Sequence, residues 1–441
     1  MTALDRSPGR ERRGCPSSMV NTKHDTHSHE STSNGESGYQ REIFDGNVLY
    51  EGFRRAEQGS DWKPQVQRFE MSYLLGLSSI HNGLKTMNYQ FQPCTEFTMN
   101  ERGKVRHITG EQIQDRVSKH ALCDEVLSPG VKKYLIYDNG ASQEGKGIDF
   151  ARRRLLVHLR RYYQRHGSND GYILLMDFSK YYDNIRHDDL MAQFRKYIHD
   201  PVALDFLERV IERSRVDVSY MSDEEYAGCM DTLFNSLEYE QVDRKLLTGE
   251  KFMSKHLNIG DQVAQVAGII YPIPIDNYVK IVRGVKEYGR YMDDSYAIHE
   301  SKEFLEDLLE NVIRIAASIG ITVNTHKTRI CKLSSLWRYL QIQYSLTDTG
   351  RVIQKINPKR VTCMRRKMKK VVHKKSEKEF DDWFKSWMEN HYRIMSKQQR
   401  DNINELYCNL KKEVYGHVRV ETCRRNPAEK PGSERKQLHQ Q

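Results

Sequence analysis

The chain has 441 residues, 38% of them hydrophobic and 29% charged, with a net charge of +10. That length implies two to four domains or one multi-lobed body. No long uncharged apolar run and no apolar N-terminal core is present, so a soluble, cytoplasmic protein without a membrane partner is expected. The basic balance suits a polyanionic partner without requiring one, and eight scattered cysteines with no C-x-x-C pair argue against zinc.

Residues 1 to about 45 are rich in Ser, Asn, Gly, Arg and His and read as a disordered tail, in which His24, His27 and His29 are solvated rather than metal-bound. The pattern turns globular from Phe69. Phe97-Thr98-Met99 and Lys104-Val105-Arg106-His107-Ile108 flank the turn Asn100-Glu101-Arg102-Gly103 and predict a β-hairpin. Ile113, Val117, Ala121 and Leu122 predict a helix after it, and a glycine-containing loop spans Gly140 to Gly147. A basic helix over 150–164 carries Leu155, Leu156 and Leu159 as its apolar stripe.

Tyr172 to Met176 is a short apolar run that ends on Asp177, as a buried strand opening onto a site would. A helix starts near His187, with Asp188 and Asp189 favoured in its first turn by the helix dipole. Residues 200–257 are mixed. A helix over 261–282 must be kinked or split by Pro272 and Pro274. Tyr288 to His299 predicts a hairpin tipped by Asp293-Asp294, then a helix capped by Ser301 and stopped by Gly320, then strands over 321–324 and 336–346. The stretch Lys355 to Lys375 is basic and free of acids. Phe380, Trp383, Phe384, Trp387 and Met388 follow at helical spacing, as in the core of a small bundle.

Two carboxylate sites stand out: Asp177 at a strand end, and Tyr291-Met292-Asp293-Asp294 at a hairpin tip. Either alone is ordinary, because Asp favours turns and caps. Together they suit phosphoryl transfer, in which two divalent ions activate a 3′-hydroxyl and steady a leaving pyrophosphate, held by a few hard carboxylate oxygens.

At this point the sequence resembles a known family. Tyr291-Met292-Asp293-Asp294 is similar to the Y-x-D-D signature of reverse transcriptases, and Asp177-Phe178-Ser179-Lys180-Tyr181-Tyr182-Asp183 resembles their first palm motif. The resemblance runs from about Phe97 to Leu346 and is nearest to the bacterial enzymes of group II introns, retrons and diversity-generating retroelements. It implies an α+β right-hand polymerase fold: N-terminal extension and fingers over 46–165, an antiparallel palm over 166–346 with an insertion near 200–257, a basic helical thumb over 347–425, and a disordered tail over 426–441.

Carried residue by residue, the resemblance implies that Asp177, Asp293 and Asp294, with the Phe178 carbonyl, hold two Mg²⁺ ions, for which Mn²⁺ can substitute. Lys327 would act as a general acid near the pyrophosphate. Tyr182 would exclude a ribose 2′-hydroxyl and select dNTPs. Lys104 and Arg106 would grip the triphosphate. Asn139 and Ser142 in one loop, Trp337 and Arg338 in a primer-grip hairpin, and Arg365, Arg366 and Lys369 in the thumb would touch an RNA template and primer. A cognate noncoding RNA or an accessory protein is a further candidate partner.

Two departures matter. Gln341 stands where relatives often have Gly. Ile259-Gly260-Asp261-Gln262-Val263-Ala264-Gln265 replaces the commoner Gln-Gly-x-x-x-Ser-Pro and is close to the Ile-Gly-x-x-x-Ser-Gln form of diversity-generating retroelements. Ile259, Gly260 and Gln265 would line the nucleotide, and an aliphatic Ile259 predicts loosened base discrimination. The competing readings are an intron-, retron- or phage-defence-type enzyme, an RNA-templated RNA polymerase, and a non-catalytic RNA-binding protein.

Overall fold

The computed structural model describes residues 43–416 except 102, 103, 240 and 241. The expected C-terminal tail, and the N-terminal one up to residue 42 with its three histidines, lie outside the described residues. The globular part begins well before Phe69. Phe44 is buried, and the Asp45 carboxylate accepts from the Asn47 and Val48 amides to cap α1 (Gly46–Glu57). Val48, Leu49, Phe53 and Ala56 form its inward face. Helices α2 (Pro64–Met71) and α3 (Tyr73–Lys85) add Phe69, Leu77 and Ile80 to the same core.

Strands β1 (Thr95–Glu101) and β2 (Lys104–Gly110) pair antiparallel as the sequence predicts, and α4 (Ile113–Leu122) buries Val117, Ala121 and Leu122. A π-helical turn leads into α5 (Ser128–Lys132), and α6 (Ile148–His166) follows the glycine-containing loop. Beyond β3 (Tyr172–Met176) come α7 (His187–Arg195) and α8 (Pro201–Glu212). The mixed region then folds as β4 (Val216–Asp217), α9 (Asp223–Asp231), α10 (Ser236–Tyr239) and β5 (Phe252–Met253), with a small core of its own around Val218, Met221, Phe234 and Met253. The helix expected over 261–282 is split into α11 (Gln262–Ile270), α12 (Ile273–Asn277) and a π-helical turn. The break falls at Pro272, which has no N–H to donate, while Pro274 sits in the first turn of α12, where that loss is harmless.

The hairpin β6 (Tyr288–Tyr291) and β7 (Asp294–His299) is followed by α13 (Lys302–Ser318), capped by Ser301, whose hydroxyl accepts from the Phe304 amide at 2.9 Å. The strand expected over 321–324 does not form; only Val323 bridges Phe178, and the true strand is β8 (Arg329–Lys332). The piece expected over 336–346 is two strands, β9 (Trp337–Tyr339) and β10 (Ile342–Leu346), which make a sheet with β11 (Val352–Ile356). Helices α14 (Pro358–Val371), α15 (Glu377–His391) and α16 (Lys397–Tyr415) close the described chain around Met368, Phe380, Phe384 and Tyr407.

The central sheet is antiparallel in the order β6-β7-β3-β8. Side chains alternate across it. Leu174, Met176 and Ala297 share a core with Leu305, Leu308 and Val312 of α13. Ile173, Leu175, Tyr296 and Ile298 face the other way, onto Leu155 and Leu159 of α6 and onto Trp337, Tyr339 and Tyr344. No helix among the described residues is long and apolar enough to cross a membrane.

Candidate active site

The sheet register brings the carboxylates together. Met176 of β3 lies opposite Ser295 of β7. Continued one step past the last pair, the same register directs Asp177 toward Asp294 on the face of Leu175 and Tyr296, and the Asp177 charge is felt at the Asp294 carboxyl. Asp293 occupies the two-residue turn between the paired Tyr291 and Asp294. The crowding has an electrostatic signature: burial, then the Asp293 and Asp177 charges, push the Asp294 carboxyl up to about 7, while Lys327 and Arg338 oppose the shift. The Lys327 ammonium lies 2.5 Å from Asp177 Oδ2.

Phe178 continues the line of β3. The Asn324 amide donates to the Asp177 carbonyl at 2.7 Å and the Ser179 amide to the Thr322 carbonyl at 2.8 Å. These two bonds flank a non-hydrogen-bonded Phe178–Val323 pair. The Phe178 carbonyl therefore points away from Val323, toward the side of the strand where Asp293 and Asp294 lie.

The tip is strained and secured from beneath. Met292 has φ +53°, a region costly for a residue with a side chain. Fully buried Arg290 donates through Nη1 to the Met292 carbonyl at 3.2 Å and through Nη2 to the Ile269 carbonyl of α11 at 2.8 Å. Its Nε and Nη2 fork onto Asp276 at 2.9 and 2.7 Å, and Tyr288 donates to the same carboxylate at 2.7 Å. One guanidinium thus ties the aspartate turn to α11 and α12 with its charge fully paired.

Tyr182 sits between that tip and α11. Its hydroxyl lies 3.7 Å from Met292 Sδ, and burial, then the Asp293 charge, push its phenol up to about 12. A Cβ added at Gly268 would come within 2.8 Å of the Tyr182 oxygen, so glycine is what lets the ring lie there. The Arg106 charge, on β2 opposite Met99, is felt at the same phenol. Gln265, exposed on α11, accepts from the Ser142 hydroxyl at 3.5 Å, and half-buried Ile259 and exposed Gly260 (φ +109°) precede α11.

Residues 101–345, more than half of the chain, match the family described as reverse transcriptase (RNA-dependent DNA polymerase). The chain belongs to the reverse transcriptase family. No curated protein matches it. Membership brings the polymerase fold, in keeping with the mixed helices and antiparallel sheet, and nucleotidyl transfer on a nucleic-acid template and primer with dNTPs as substrates.

Other residues of this reverse transcriptase fall differently from the sequence reading. Lys104 opens β2, but its side chain lies outside the described residues. Asn139 and Trp337 are not surface contacts. Asn139 is fully buried and its Oδ1 accepts from the Ala141 amide; Trp337 is 1% exposed and stacks on Tyr344. Strand alternation explains the second, since Arg338 between two buried aromatics points outward. Arg365, Arg366 and Lys369 are exposed on α14, whose buried stripe is Val361, Met364 and Met368. Asp115 and Arg116 of α4 join segments of the fold: Asp115 is fully buried and takes bonds from Tyr89, the Gln92 amide and Arg213, while Arg116 holds Ser60 and Ala56. Leu340 and Gln341 both have positive φ (+42° and +74°), which explains why a glycine suits that turn.

Sequence reasoning passed over Arg290, Asp276 and Gly268. The signal for Arg290 was a charged residue inside an otherwise apolar strand. For metals, no three acidic, histidine or cysteine side chains among the described residues gather tightly enough to cage an ion. The donor chemistry still fits magnesium: crowded hard oxygens whose mutual repulsion Lys327 and Arg338 do not cancel, for an ion that takes one or two carboxylates and completes its shell with water and phosphate.

Proposed function

We propose that the chain copies RNA into DNA at Asp177, Asp293 and Asp294, with these carboxylates and the Phe178 carbonyl as the ligands of two Mg²⁺ ions. The supporting observation is the register that pairs Met176 with Ser295, one step short of Asp177 and Asp294, with Asp293 in the adjoining turn and the Asp177 and Asp293 charges both felt at Asp294. Bound magnesium, or manganese in its place, would supply acidity to the primer 3′-hydroxyl and countercharge to the pyrophosphate. Lys327, already on Asp177, offers a proton to the leaving group. Tyr182 fills the space a 2′-hydroxyl would need and so favours dNTPs over rNTPs, which argues against an RNA-templated RNA polymerase. Arg106 with Lys104 grips the triphosphate, and Ile259, Gly260 and Gln265 line the nucleotide. Ser142, Arg338, Arg365, Arg366 and Lys369 hold the RNA–DNA duplex through its backbone.

The test is dNTP incorporation on poly(rA)/oligo(dT) with Mg²⁺. The native chain is expected to extend the primer and Asp293→Asn to lose at least about a thousandfold. Equal activity in both would sink the assignment. Tyr182→Ala is expected to admit rNTPs.

The role we propose is that of a bacterial retroelement, nearest the diversity-generating kind on the strength of Ile259-Gly260-Asp261-Gln262-Val263-Ala264-Gln265. An aliphatic Ile259 in place of a hydrogen-bonding side chain supports low fidelity. Misincorporation opposite template adenine at the level of accurate enzymes would refute that. A template repeat beside the gene favours this role; a structured noncoding RNA there favours a retron or an intron.

A further inference from the structure

Lys119 of α4 is 2% exposed, yet its ammonium takes no part in the chemistry above. It lies 2.5 Å from Asp261 Oδ2 and also contacts Glu111. Burial pulls this ammonium down, but Asp261 and Glu111 more than offset the pull, so it stays charged. Burying a lysine is unfavourable unless it is paired and hydrogen-bonded, and its two partners come from two different segments.

Asp261 immediately follows Ile259 and Gly260. Its other oxygen accepts from the Val263 amide at 2.8 Å and caps α11. Glu111 lies one residue past the end of β2, the strand that carries Arg106. The Gly260 backbone leans on this same strand end: a Cβ there would meet Ile108 Cγ2 at 3.6 Å and the Thr109 carbonyl at 3.9 Å. Before the turn, the Leu257 amide donates to the Tyr182 carbonyl at 2.9 Å. The segment 258–260 is therefore strung between Tyr182 on one side and the Lys119 ion cluster on the other. Farther along, α11 reaches Gly268 against the Tyr182 ring.

We propose that Lys119 is a positioning residue for nucleotide selection. It locks the Ile259–Gly260 turn and the start of α11 to the root of the β1–β2 hairpin, so that the turn and Arg106 present one preset surface to the incoming dNTP. This rests on the reading of Ile259 and Gly260 as nucleotide-lining. Freeing the lock lets the turn move between its anchors and weakens nucleotide binding, while the carboxylates, held by the sheet and Arg290, keep their places.

The test compares Lys119→Met, Lys119→Arg and the double variant Lys119→Met/Asp261→Asn by steady-state dNTP incorporation, thermal unfolding and hydrogen exchange over 257–264. Asn keeps the cap, and the double variant leaves fewer unpaired buried charges. Lys119→Met should raise KM for dNTP about tenfold with kcat within about threefold, and should speed exchange over 257–264. Lys119→Arg should recover most of the loss. The double variant should recover Tm but not KM. Recovery of KM in step with Tm, or an unchanged KM with unchanged exchange in Lys119→Met, would reduce Lys119 to a stability residue and overturn the proposal. If the native chain incorporates no nucleotide, the polymerase reading fails by itself. The exchange over 257–264 then still decides whether Lys119 holds the turn, and unchanged exchange overturns the proposal.

Discussion

Among the described residues, two hairpins close on two-residue turns that hold ordinary residues at positive φ, and they are held in opposite ways. At the β6–β7 tip the strained residue is Met292, and the restraint comes from inside: a fully buried guanidinium grips its carbonyl and is itself fixed by Asp276 and α11. At the β9–β10 tip the strained residues are Leu340 and Gln341. Two arginines approach from outside the sheet, Arg152 donating to the Leu340 carbonyl at 2.8 Å and Arg360 contacting the Gln341 carboxamide. Each such residue costs about 1–3 kcal/mol. The difference teaches what strain is for: a turn bolted to the core fixes the atoms beside it, whereas one strapped at the surface only tolerates its geometry.

The comparison can be broken most forcefully at Arg290. Arg290→Met leaves the Asp276 charge buried without its partner, at a cost of about 3–5 kcal/mol, and releases the Met292 carbonyl. Incorporation per folded molecule should drop about a hundredfold. Urea melts and single-turnover extension measure the two losses separately. Arg290→Lys should recover part of the stability and little of the rate, since an ammonium cannot replace the fork. A lysine variant with native rate would show that the tip needs charge alone.

A smaller effect is expected beside the same tip. Gly268→Ala drives a methyl into the Tyr182 hydroxyl and should cost about 1–3 kcal/mol. Tyr182→Phe removes the colliding oxygen and should rescue that loss in the double variant. Additive losses in a double-mutant cycle would mean that the two residues do not meet.

The pH dependence of the metal-free protein sharpens the contrast further, because only the inner tip carries a raised carboxyl. The folded state binds a proton at Asp294 up to about pH 7, whereas an unfolded chain releases it near its ordinary value of 3.8. Stability from this group is therefore lost as pH climbs from about 4 through 7. Thermal melts in chelator should show native protein losing Tm relative to Asp294→Asn across that window. Parallel curves would mean that Asp294 is not crowded.

The smallest effect belongs to the outer turn. Gln341→Gly relieves one positive φ and gives up the Arg360 contact, for a net gain of no more than about 1 kcal/mol. A clear loss of Tm would show that Arg360 matters more there than strain.

The two carboxylate sites were legible because strand alternation and turn preference act locally. Tyr172 to Met176 had to be buried, and Asp293-Asp294 had to turn. Ser301 and Gly320 bounded α13 for the same local reason. Less visible was whatever depends on distant partners. Phe44 and α1 hid behind polar neighbours because their core is shared with α4, and Val323 looked strand-like but pairs at a single residue. Trp337 read as a nucleic-acid contact until the sheet turned it inward. Arg290 and Lys119, two buried cations, are explicable only by carboxylates elsewhere in the chain: Asp276, and Glu111 with Asp261.

The outer edge of β6 bears one more consequence. The Arg290 amide donates to the Asp138 carbonyl at 3.1 Å, and the Gly140 amide to the Arg290 carbonyl at 2.9 Å, so the loop before α6 occupies backbone groups that an edge strand would otherwise expose. An open edge recruits strands from other chains. Here the strand leading into the aspartates is sealed against such recruitment by the loop that runs beside it, and this edge of the sheet has no free backbone at Arg290 with which to seed an aggregate.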